Sequence, residues 1–509
     1  MNIKMPFLCA LLAAVFVGLP MQPPAKSYAQ TPADSQAGKL PGMMSNSPSC
    51  RAAGEAIINL RNPFFGNPAV WDAAFGDHRG PVQFSGAVAL ENKNLLVAGD
   101  ALDEAYMPQE MVLVELNSRA RAVDEKRYPA KAAERSTGIL PIAGGYAVSS
   151  TIHGGARAEE IWTRLAWYDA ERKFLREIIL KDSSFDYESM SLSPAANGKG
   201  IVAVVKAINR KDPKEQHGVL FRISDQGKIL WKRSYRPGAA NYIYGVSVAD
   251  GEAYLAGGQI KSEDGRQAGW LLKLSDDGTI IWQKTYPRGQ FAVFRSGTTK
   301  PVMYEADHYV VAGQVIPYGS DPAAAWLLEV DTNGKTIWQR YFRGVAIDFD
   351  GRDVMTHPDG RITLMANAKF HEGGDEAAKA PEHIRLITLS PRGVIMNDEG
   401  YMEGHGATAQ QLIKGWSGER IVIATIEMNK QPGADKGVEL ITDALARKEK
   451  EAAMAEADTL GPPNPTPEQM AIIAQSKKVE TRREGWVFVA TGLDPYEDPC
   501  LIPAAEPAQ

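Results

Sequence analysis

The sequence contains few of the residues that usually build redox, metal or nucleophile sites. Its 509 residues include three cysteines and eight histidines, and no histidine lies two or four residues from another histidine or from a cysteine. The common zinc motifs depend on close spacing of this kind. A Gly-x-Ser-x-Gly nucleophile elbow is also missing. The sequence therefore predicts neither catalytic residues nor metal ligands.

An excess of positive charge is absent as well. The chain has 56 Lys and Arg residues against 62 Asp and Glu residues, which gives a formal net charge of −6. Nucleic-acid-binding proteins usually carry a basic patch, so this balance argues against a nucleic-acid partner. After Leu19 no apolar run approaches the roughly 20 residues that a transmembrane helix needs. We therefore expect no membrane span in the mature chain.

The first residues have the pattern of a secretory signal peptide. Lys4 supplies a positive charge, Phe7–Leu19 is a short apolar run, and Ser27–Ala29 provides small residues at a cleavage site. Cleavage would leave a mature chain that begins near Gln30. The pattern predicts an exported protein, either periplasmic or secreted.

One segment recurs along the chain. Gly218–Tyr235 (GVLFRISDQGKILWKRSY) is repeated as Gly269–Tyr286 and again as Ala325–Phe342. Each copy has an apolar strand, a polar turn that ends in Gly, a Trp four residues after that Gly, and a final aromatic residue. A repeat of roughly 50 residues is typical of the blades of a β-propeller.

Seven such units can be assigned from their apolar strands. Third strands lie near Met111, Thr163, Gly218, Gly269, Ala325, Ile384 and Gly485, and second strands near Asn94, Gly145, Gly200, Glu252, His308, Arg361 and Arg420. The seventh unit lacks a fourth strand, but Ala69–Phe75 has the fourth-strand pattern and precedes the first unit. The sequence predicts an all-β, seven-bladed β-propeller closed by an N-terminal strand, which removes exposed sheet edges.

An insertion interrupts the last blade between its second and third strands. Val438–Leu460 is rich in Ala, Glu and Lys, and Thr466–Gln469 has the pattern of a helix start. The insertion therefore predicts a helical hairpin, which either binds a partner through Met470 and Ile473 or covers its own blade. The predicted organisation is signal peptide 1–29, tether and N-terminal segment 30–60, propeller 61–500 with insertion 432–482, and tail 501–509.

Two cysteines remain after signal cleavage, Cys50 and Cys500, at opposite ends of the mature chain. In an exported protein such a pair suggests one disulfide. Closure of the ring would bring the two ends together, which favours a bridge over two unrelated thiols.

The repeat resembles the tandem propeller repeats of exported bacterial proteins, including the quinoprotein-like group. The resemblance covers about residues 69–494 and rests on the four-residue step from Gly to Trp in Gly227/Trp231, Gly278/Trp282 and Gly334/Trp338. It implies the fold, and it implies relatives that act as envelope assembly scaffolds. The vicinal cysteine pair of the quinone dehydrogenases is missing, so no quinone is expected.

The resemblance also implies a binding face around the central channel, formed by the loops from fourth to first and from second to third strands. The candidate ligand-binding residues on that face are Asp186, Tyr187, Asn241, Tyr242, Tyr244, Phe291, Arg295, Asp348, Asp350 and His405. Aromatic residues beside carboxylates and amides suit sugars or peptides. The alternative is that these are ordinary residues of loops and of the channel wall.

Two further patterns have a structural interpretation. Asp348–Asp353 resembles a fragment of a calcium loop, but the late Glu of that loop is missing, so an acidic turn is favoured and no cofactor is expected. The repeated Trp231, Trp282 and Trp338 are predicted to pack within or between blades rather than to bind a ligand.

These observations support two hypotheses on function. The favoured one is an exported, non-enzymatic propeller that binds a protein or a glycan in the bacterial envelope. The alternative is a hydrolase or lyase that acts on a sugar or peptide at the channel face, with Asp186 and Asp350 as candidate carboxylates. A buried carboxylate pair with a raised pKa in a deep channel would favour the enzyme.

Overall fold

The computed structural model describes most of the repeat region. The described residues are 54–60, 69, 71–77, 80–103, 106–119, 121–154, 160–249, 253–262, 265–300, 307–344, 346–371, 382–402, 406–429, 481–490 and 492–494. They contain 29 strands and no helix. The signal peptide, the helical hairpin, the C-terminal tail and the predicted Cys50–Cys500 disulfide lie outside the described residues.

The strands form seven blades in chain order. Two strands precede the first blade, β1 (Glu55–Asn59) and β2 (Trp71–Asp77). Blade one consists of β3 (Gly80–Ala89), β4 (Leu95–Leu102), β5 (Pro108–Leu116) and β6 (Ala122–Pro129). Blade two consists of β7 (Ala133–Ile142), β8 (Gly145–His153), β9 (Ile161–Asp169) and β10 (Phe174–Leu180). Blade three consists of β11 (Phe185–Pro194), β12 (Ile201–Asn209), β13 (Gln216–Ile223) and β14 (Ile229–Tyr235). Blade four consists of β15 (Ala240–Ala249), β16 (Ala253–Lys261), β17 (Gln267–Ser275) and β18 (Ile280–Tyr286).

The remaining blades follow the same plan. Blade five consists of β19 (Phe291–Lys300), β20 (His308–Ile316), β21 (Ala324–Val330) and β22 (Thr336–Arg343). Blade six consists of β23 (Ile347–Thr356), β24 (Ile362–Phe370), β25 (His383–Leu389) and β26 (Ile395–Tyr401). Blade seven contributes β27 (Gly406–Lys414), β28 (Arg420–Asn429) and β29 (Thr481–Ala490). Each blade is an antiparallel sheet in sequence order, and each first strand contacts the first strands of both neighbouring blades, from β3 round to β27 and back to β3. The predicted seven-bladed propeller is confirmed.

The fourth strand of blade seven is β2, from the other end of the chain. Residues 71–75 pair antiparallel with β29, from Trp71 opposite Val489 to Phe75 opposite Gly485. The last two residues of β2 then pair with the start of β3. This is the pairing that the Trp-plus-aromatic pattern of Ala69–Phe75 predicts, and it joins the first and last blades into one eight-stranded sheet.

No sequence pattern predicts β1, which adds a fifth strand to blade five. It pairs parallel with β22, from Glu55 opposite Gln339 to Asn59 opposite Arg343. The next residue, Leu60, is buried in the core between blades five and six. The N-terminal segment is therefore bound to blade five at β1 and to blade seven at β2.

The hydrophobic core lies between neighbouring blades. All eight residues of β4 are buried, as are all seven of β21 and of β25. Strands covered on both faces read as continuous apolar runs, which is the pattern that located the second and third strands in the sequence. No helix in the described part of the chain is long and apolar enough to cross a membrane.

In blades three, four and five the repeated motif contacts the turn of the next blade. The indole Nε1 of Trp231 donates to Asp276 O of blade four at 2.9 Å, and that of Trp282 donates to Thr332 O of blade five at 2.8 Å. The final aromatic of the motif does the same, since Tyr235 Oη donates to Gly278 O at 2.8 Å. The repeated Trp residues therefore pack between blades, as predicted.

The turn glycine serves both conformation and packing. Gly278 has a φ of 79°, in the left-handed region where side chains are strained. A Cβ built there would lie 2.9 Å from the Trp231 ring. Only glycine fits because the Trp of the preceding blade packs directly against the turn backbone.

We expect Gly278→Ala to destabilise the propeller more than Gly319→Ala, measured as the shift in thermal midpoint. Gly319 has a φ of 86°, so both variants carry the strain of a left-handed residue, about 1 kcal/mol. Only the Cβ at residue 278 also displaces Trp231, because nothing lies within 4 Å of a Cβ at residue 319. Equal shifts for the two variants would contradict the proposed Trp–turn contact.

Candidate functional site

The central channel is lined by the seven first strands, and each of them contains a β-bulge at the same place. In every blade the pairing of the first with the second strand skips one residue near the middle of the first strand. The skipped residues are Ser85, Thr137, Met190, Tyr244, Arg295, Arg352 and Gln410 in blades one to seven. All seven are half-buried. A bulge re-aims the side chain of the unpaired residue, so the chain presents seven different side chains at one level.

Four of the bulge residues surround one cavity of about 210 Å³. They belong to blades seven, one, two and three, which meet on one side of the channel. The lining residues are Gln83, Phe84, Ser85, Asp100, Arg135, Ser136, Thr137, Met190 and Gln410. The wall therefore combines two carboxamides, three hydroxyls, one carboxyl group and one guanidinium group with two apolar side chains.

Asp100 is the most perturbed acid of this cavity. Both of its carboxylate oxygens accept a hydrogen bond from the backbone N–H of Ser136, at 3.0 and 2.9 Å, across the boundary between blades one and two. Only 4% of the residue is exposed. Burial raises the pKa of Asp100 to about 7 from an ordinary 3.8, and the hydrogen bonds from Ser136 oppose that shift without cancelling it.

A charged arc occupies the level of the bulges in blades four to six. Arg295 Nε donates to Asp350 Oδ1 at 2.7 Å, and Arg352 Nη1 lies 3.4 Å from Asp350 Oδ2. The Arg295 guanidinium also lies 5.3 Å from the centre of the Tyr244 ring, within cation–π distance. One carboxylate is therefore held between two guanidinium groups, and one of these groups rests on an aromatic face.

Blade three extends this arc. Lys206 Nζ lies 3.1 Å from Glu188 Oε2 and 5.3 Å from the ring centre of Tyr242, which in turn contacts Tyr244 at 6.2 Å between ring centres. Contacts between side chains therefore run from blade three to blade six. Burial raises the pKa values of both tyrosines, so their hydroxyls stay protonated at neutral pH.

The structure brings four of the predicted ligand residues together in this arc. They are Tyr242, Tyr244, Arg295 and Asp350. All of them lie on first strands, not in the loops where they were expected. Phe291 is half-buried at the first position of β19. His405, Met470 and Ile473 lie outside the described residues.

The other predicted residues have structural contacts. Asp186 Oδ1 accepts a hydrogen bond from Ile161 N at 3.1 Å and from Arg210 Nε at 2.7 Å. At the same position of blade six, Asp348 Oδ1 accepts from Ala323 N at 2.6 Å. Each of these aspartates therefore binds the start of the third strand in the preceding blade.

Two predicted ligand residues are buried, so their side chains do not face the channel. Tyr187 is 2% exposed within the core between blades two and three, and its hydroxyl donates to Asp182 Oδ2 at 3.1 Å. Asn241 is 1% exposed, and its Oδ1 accepts from Gly218 N at 3.3 Å. Both residues adjoin a channel-facing position, where strand alternation turns the side chain to the other face.

The acidic stretch Asp348–Asp353 is neither a calcium loop nor a turn, because it lies within strand β23. Its three carboxylates have different partners. Asp348 contacts Ala323 N of blade five and the His371 ring. Asp350 forms ion pairs with Arg295 and Arg352. Asp353 accepts hydrogen bonds from Ser296 Oγ and from Leu412 N. No group of three or more His, Cys, Asp or Glu residues in the described part of the chain is arranged to hold a metal ion.

Several channel residues were missed in the sequence although a signal for them was present. One polar residue near the end of each apolar second strand pairs with the residue two positions before the bulge. These are Asp100, Thr151, Lys206, Gln259, Gln314, Asn367 and Thr425. Four of them bind the first strand of the next blade. Asp100, Thr151 and Asn367 accept from Ser136 N, Ser189 N and Ala409 N, and Gln314 Nε2 donates to Phe349 O at 3.3 Å. A regular polar position in an otherwise apolar repeat marks the channel.

No protein-family model matches the chain, and no curated protein matches it. Among solved structures, puromycin hydrolase is similar to it, with 12% identity, a TM-score of 0.40, and coverage of 70% of this chain and 52% of that one. The β-propeller domain of the trilobed protease from Pyrococcus furiosus has 11% identity, a TM-score of 0.34 and coverage of 57% and 77%. The Penicillium chrysogenum α-L-arabinanase has 8% identity, a TM-score of 0.38 and coverage of 64% and 99%.

The chain spans about half the length of the puromycin hydrolase that it matches. At these identities and TM-scores the similarities carry no argument about activity. The assignment of the fold rests on the chain's own strand pairing and ring of first strands.

The raised pKa of Asp100 predicts a pH-dependent stability. Its pKa is about 7 in the folded chain and about 3.9 in an unfolded one. The folded state therefore binds more protons between these values, and stability falls as the pH rises through that window. We expect Asp100→Asn to gain thermal stability relative to the unmodified chain as the pH is raised from 5 to 8, because a neutral amide loses nothing there.

The control is Asp212→Asn, at an exposed aspartate. Its thermal midpoint should follow that of the unmodified chain across the same pH range. Parallel curves for Asp100→Asn and the unmodified chain would show that burial of Asp100 does not affect its ionisation.

Proposed function

We propose that this chain is an exported β-propeller that binds a glycan in its central channel and does not transform it. The observation that carries this proposal is the cavity of about 210 Å³ between blades seven, one, two and three. Ligand sites are concave and combine apolar walls with a few converging polar groups. The cavity has this composition.

The polar groups of the cavity suit the hydroxyls of a sugar. The carboxamides of Gln83 and Gln410 each offer both donors and an acceptor, and the hydroxyls of Ser85 and Thr137 do the same. A sugar hydroxyl needs such two-way partners because it both donates and accepts. Met190, which is half-buried, supplies apolar surface for the carbon–hydrogen face of a sugar ring.

The charged arc on the opposite side supports binding rather than chemistry. Asp350 is paired with Arg295 and Arg352, and Glu188 is paired with Lys206. These ion pairs are 3.4 Å or shorter, so both carboxylates already have charged partners in the folded chain. Tyr242 and Tyr244, which are half-buried beside these pairs, extend the surface that a longer glycan would contact.

Export is proposed from the N-terminal signal pattern, and the site of action from the resemblance of the repeats to those of envelope proteins. The other partner class predicted from the sequence is an envelope protein bound through Met470 and Ile473. The channel residues favour the glycan, since they form a site without that insertion.

Gln410→Ala provides the test of glycan binding. We expect it to weaken binding of an oligosaccharide selected on a glycan array by about tenfold, the value of one or two hydrogen bonds. Gln410 is the bulge residue, whereas the neighbouring Gln411 Oε1 binds Ala87 N at 2.9 Å, so the substitution leaves that contact between blades intact. Isothermal titration calorimetry would measure the change.

Gln226→Ala, in the exposed turn between β13 and β14, is the matched control and should bind as the unmodified chain does. Equal affinities for all three proteins would place the glycan outside the cavity. A complete array without a ligand would overturn the proposal.

A second candidate function, hydrolysis of a sugar or peptide, is favoured by one observation. Asp100 lines the cavity and, with its pKa of about 7, could act as a proton donor at neutral pH. Glycoside hydrolysis needs a second carboxyl group about 5 to 9.5 Å away. The nearby Glu134 is bound to Arg164 and to Ser150 Oγ, so it is not positioned to serve.

We therefore expect the mature protein to release no product from a panel of oligosaccharides and peptides, assayed by reducing-end and amine detection. Product release that disappears in Asp100→Asn but persists in Asp212→Asn would establish the enzyme and overturn the binding-only proposal. Loss in Asp350→Ala instead would place the chemistry on the charged arc.

A further inference from the structure

Blade five shows how this propeller binds an additional strand. Strand β1 pairs parallel with the outer edge of β22, with Gln339 N donating to Gly54 O at 3.2 Å and Leu60 N donating to Arg343 O at 2.7 Å. Two side chains of β22 assist, since Gln339 Nε2 donates to Glu55 Oε2 at 2.9 Å and Arg340 Nη1 donates to Gly54 O at 2.7 Å. The edge thus recognises both the backbone and the acidic residue of the incoming strand.

The outer edge of blade four repeats this recognition surface. Strand β18 has the sequence IIWQKTY, and the aligned part of β22 has TIWQRYF. Trp282, Gln283 and Lys284 occupy the positions of Trp338, Gln339 and Arg340. The carboxamide and the cation that bind β1 in blade five therefore have counterparts in blade four.

In blade four these groups are exposed. Gln339 and Arg340 are 7% and 2% exposed beneath β1, whereas Gln283 and Lys284 are both exposed. The aromatic residues at the two ends of the motif differ in the same way, because Trp338 and Phe342 are buried and Trp282 and Tyr286 are half-buried. No strand in the described part of the chain pairs with the outer edge of β18.

An apolar residue flanks this edge. Ile281 is skipped in the pairing of β17 with β18 and is 55% exposed, and its neighbour Ile280 is 39% exposed. The equivalent Ile337 of blade five is half-buried against the core between blades five and six. An exposed strand edge beside exposed isoleucines is a surface that soluble proteins usually protect.

We propose that the outer edge of blade four, Ile280–Tyr286, binds an extended segment of a partner protein by parallel strand addition. The side-chain contacts of β1 define the chemistry of that segment. An acidic residue would face Gln283, the preceding carbonyl would accept from Lys284, and apolar residues at alternate later positions would cover Trp282 and Tyr286, as Ile58 and Leu60 cover the core at blade five. Main-chain hydrogen bonds supply affinity in this mode and alternate side chains supply specificity.

The edge also limits the length of the segment. The residue aligned with Arg343 is Pro287, which has no N–H to donate. The bound strand would therefore pair over fewer residues than β1 does. β1 pairs over five residues, so a paired segment of about four residues is the expected ligand.

The probe for this proposal is the peptide GEAIINL, the sequence of residues 54–60, added in millimolar excess to the mature full-length chain. Hydrogen–deuterium exchange followed by mass spectrometry reports which backbone amides it protects. We expect slower exchange of amides in Ile280–Tyr286 and no change in Thr336–Arg343, where β1 already occupies the edge. The absence of protection at β18, or protection confined to β22, would overturn the proposal.

Two substitutions separate strand addition from other contacts. Gln283→Pro removes the first outward N–H at an edge position that tolerates proline, so it should abolish protection. It also removes the hydrogen bond that Trp270 Nε1 donates to Gln283 Oε1 at 3.3 Å, so a modest fall in the thermal midpoint is expected. Lys284→Glu keeps the backbone and should weaken peptide binding at least fivefold. Arg233→Glu, at the equivalent position of blade three, is the matched control and should bind the peptide as the unmodified chain does.

A second copy of the chain is the competing occupant of this edge. Sedimentation of the unmodified chain and of Gln283→Pro, both without peptide, tests for it. A monomer in both cases supports a separate partner protein. Self-association that Gln283→Pro removes would overturn that choice and assign the edge to a homo-oligomer.

Discussion

Three successive blades of this propeller are joined to the next blade by a contact with its turn. Trp231, Trp282 and Trp338 each pack on the turn glycine of the next blade, and Trp231 and Trp282 also donate their indole N–H to a carbonyl of that turn. This contact joins neighbouring blades at the rim, while the first strands join them at the channel. Because every blade needs its neighbours to cover both faces of its strands, the array is stable only when the ring is closed. Strand β2 closes the ring, because it pairs with β29 along one edge and with β3 at its end.

The same contact explains how much of the fold could be predicted from the sequence. Trp, turn glycine and final aromatic recur because each residue performs the same task in several blades, and the second and third strands recur because both of their faces are buried. These repeated constraints located the second, third and fourth strands and the closing strand. Strand β1 could not be predicted in this way, since it occurs once and its short sequence, EAIIN, has no counterpart elsewhere. Strand β1 binds the edge of β22, and the sequence of β22 resembles those of the other fourth strands.

The candidate site was harder to predict because the first strands share geometry and not sequence. The bulge occurs in all seven, yet its residue is Ser, Thr, Met, Tyr, Arg, Arg or Gln. Tyr242, Tyr244, Arg295 and Asp350 were found from their residue types, whereas Tyr187 and Asn241 were placed on the wrong face. One step along a strand reverses the direction of a side chain, so an error of a single position exchanges channel and core. The polar residue of each second strand fixes the register of the first strand, but it was not used as a reference point in the sequence.

This division between constant and variable positions has a consequence for function. None of the seven bulge residues is fully buried, so a substitution at a bulge changes the channel with little effect on the cores between the blades. Within one chain this has produced a side lined by carboxamides and hydroxyls and another lined by ion pairs and tyrosines. A ligand that spans the channel would meet neutral hydrogen-bonding groups at one end and fixed charges at the other, and so would be bound in one orientation. The proposed glycan binding needs orientation of this kind, and the two sides of the channel supply it through groups that the repeated framework leaves free to vary.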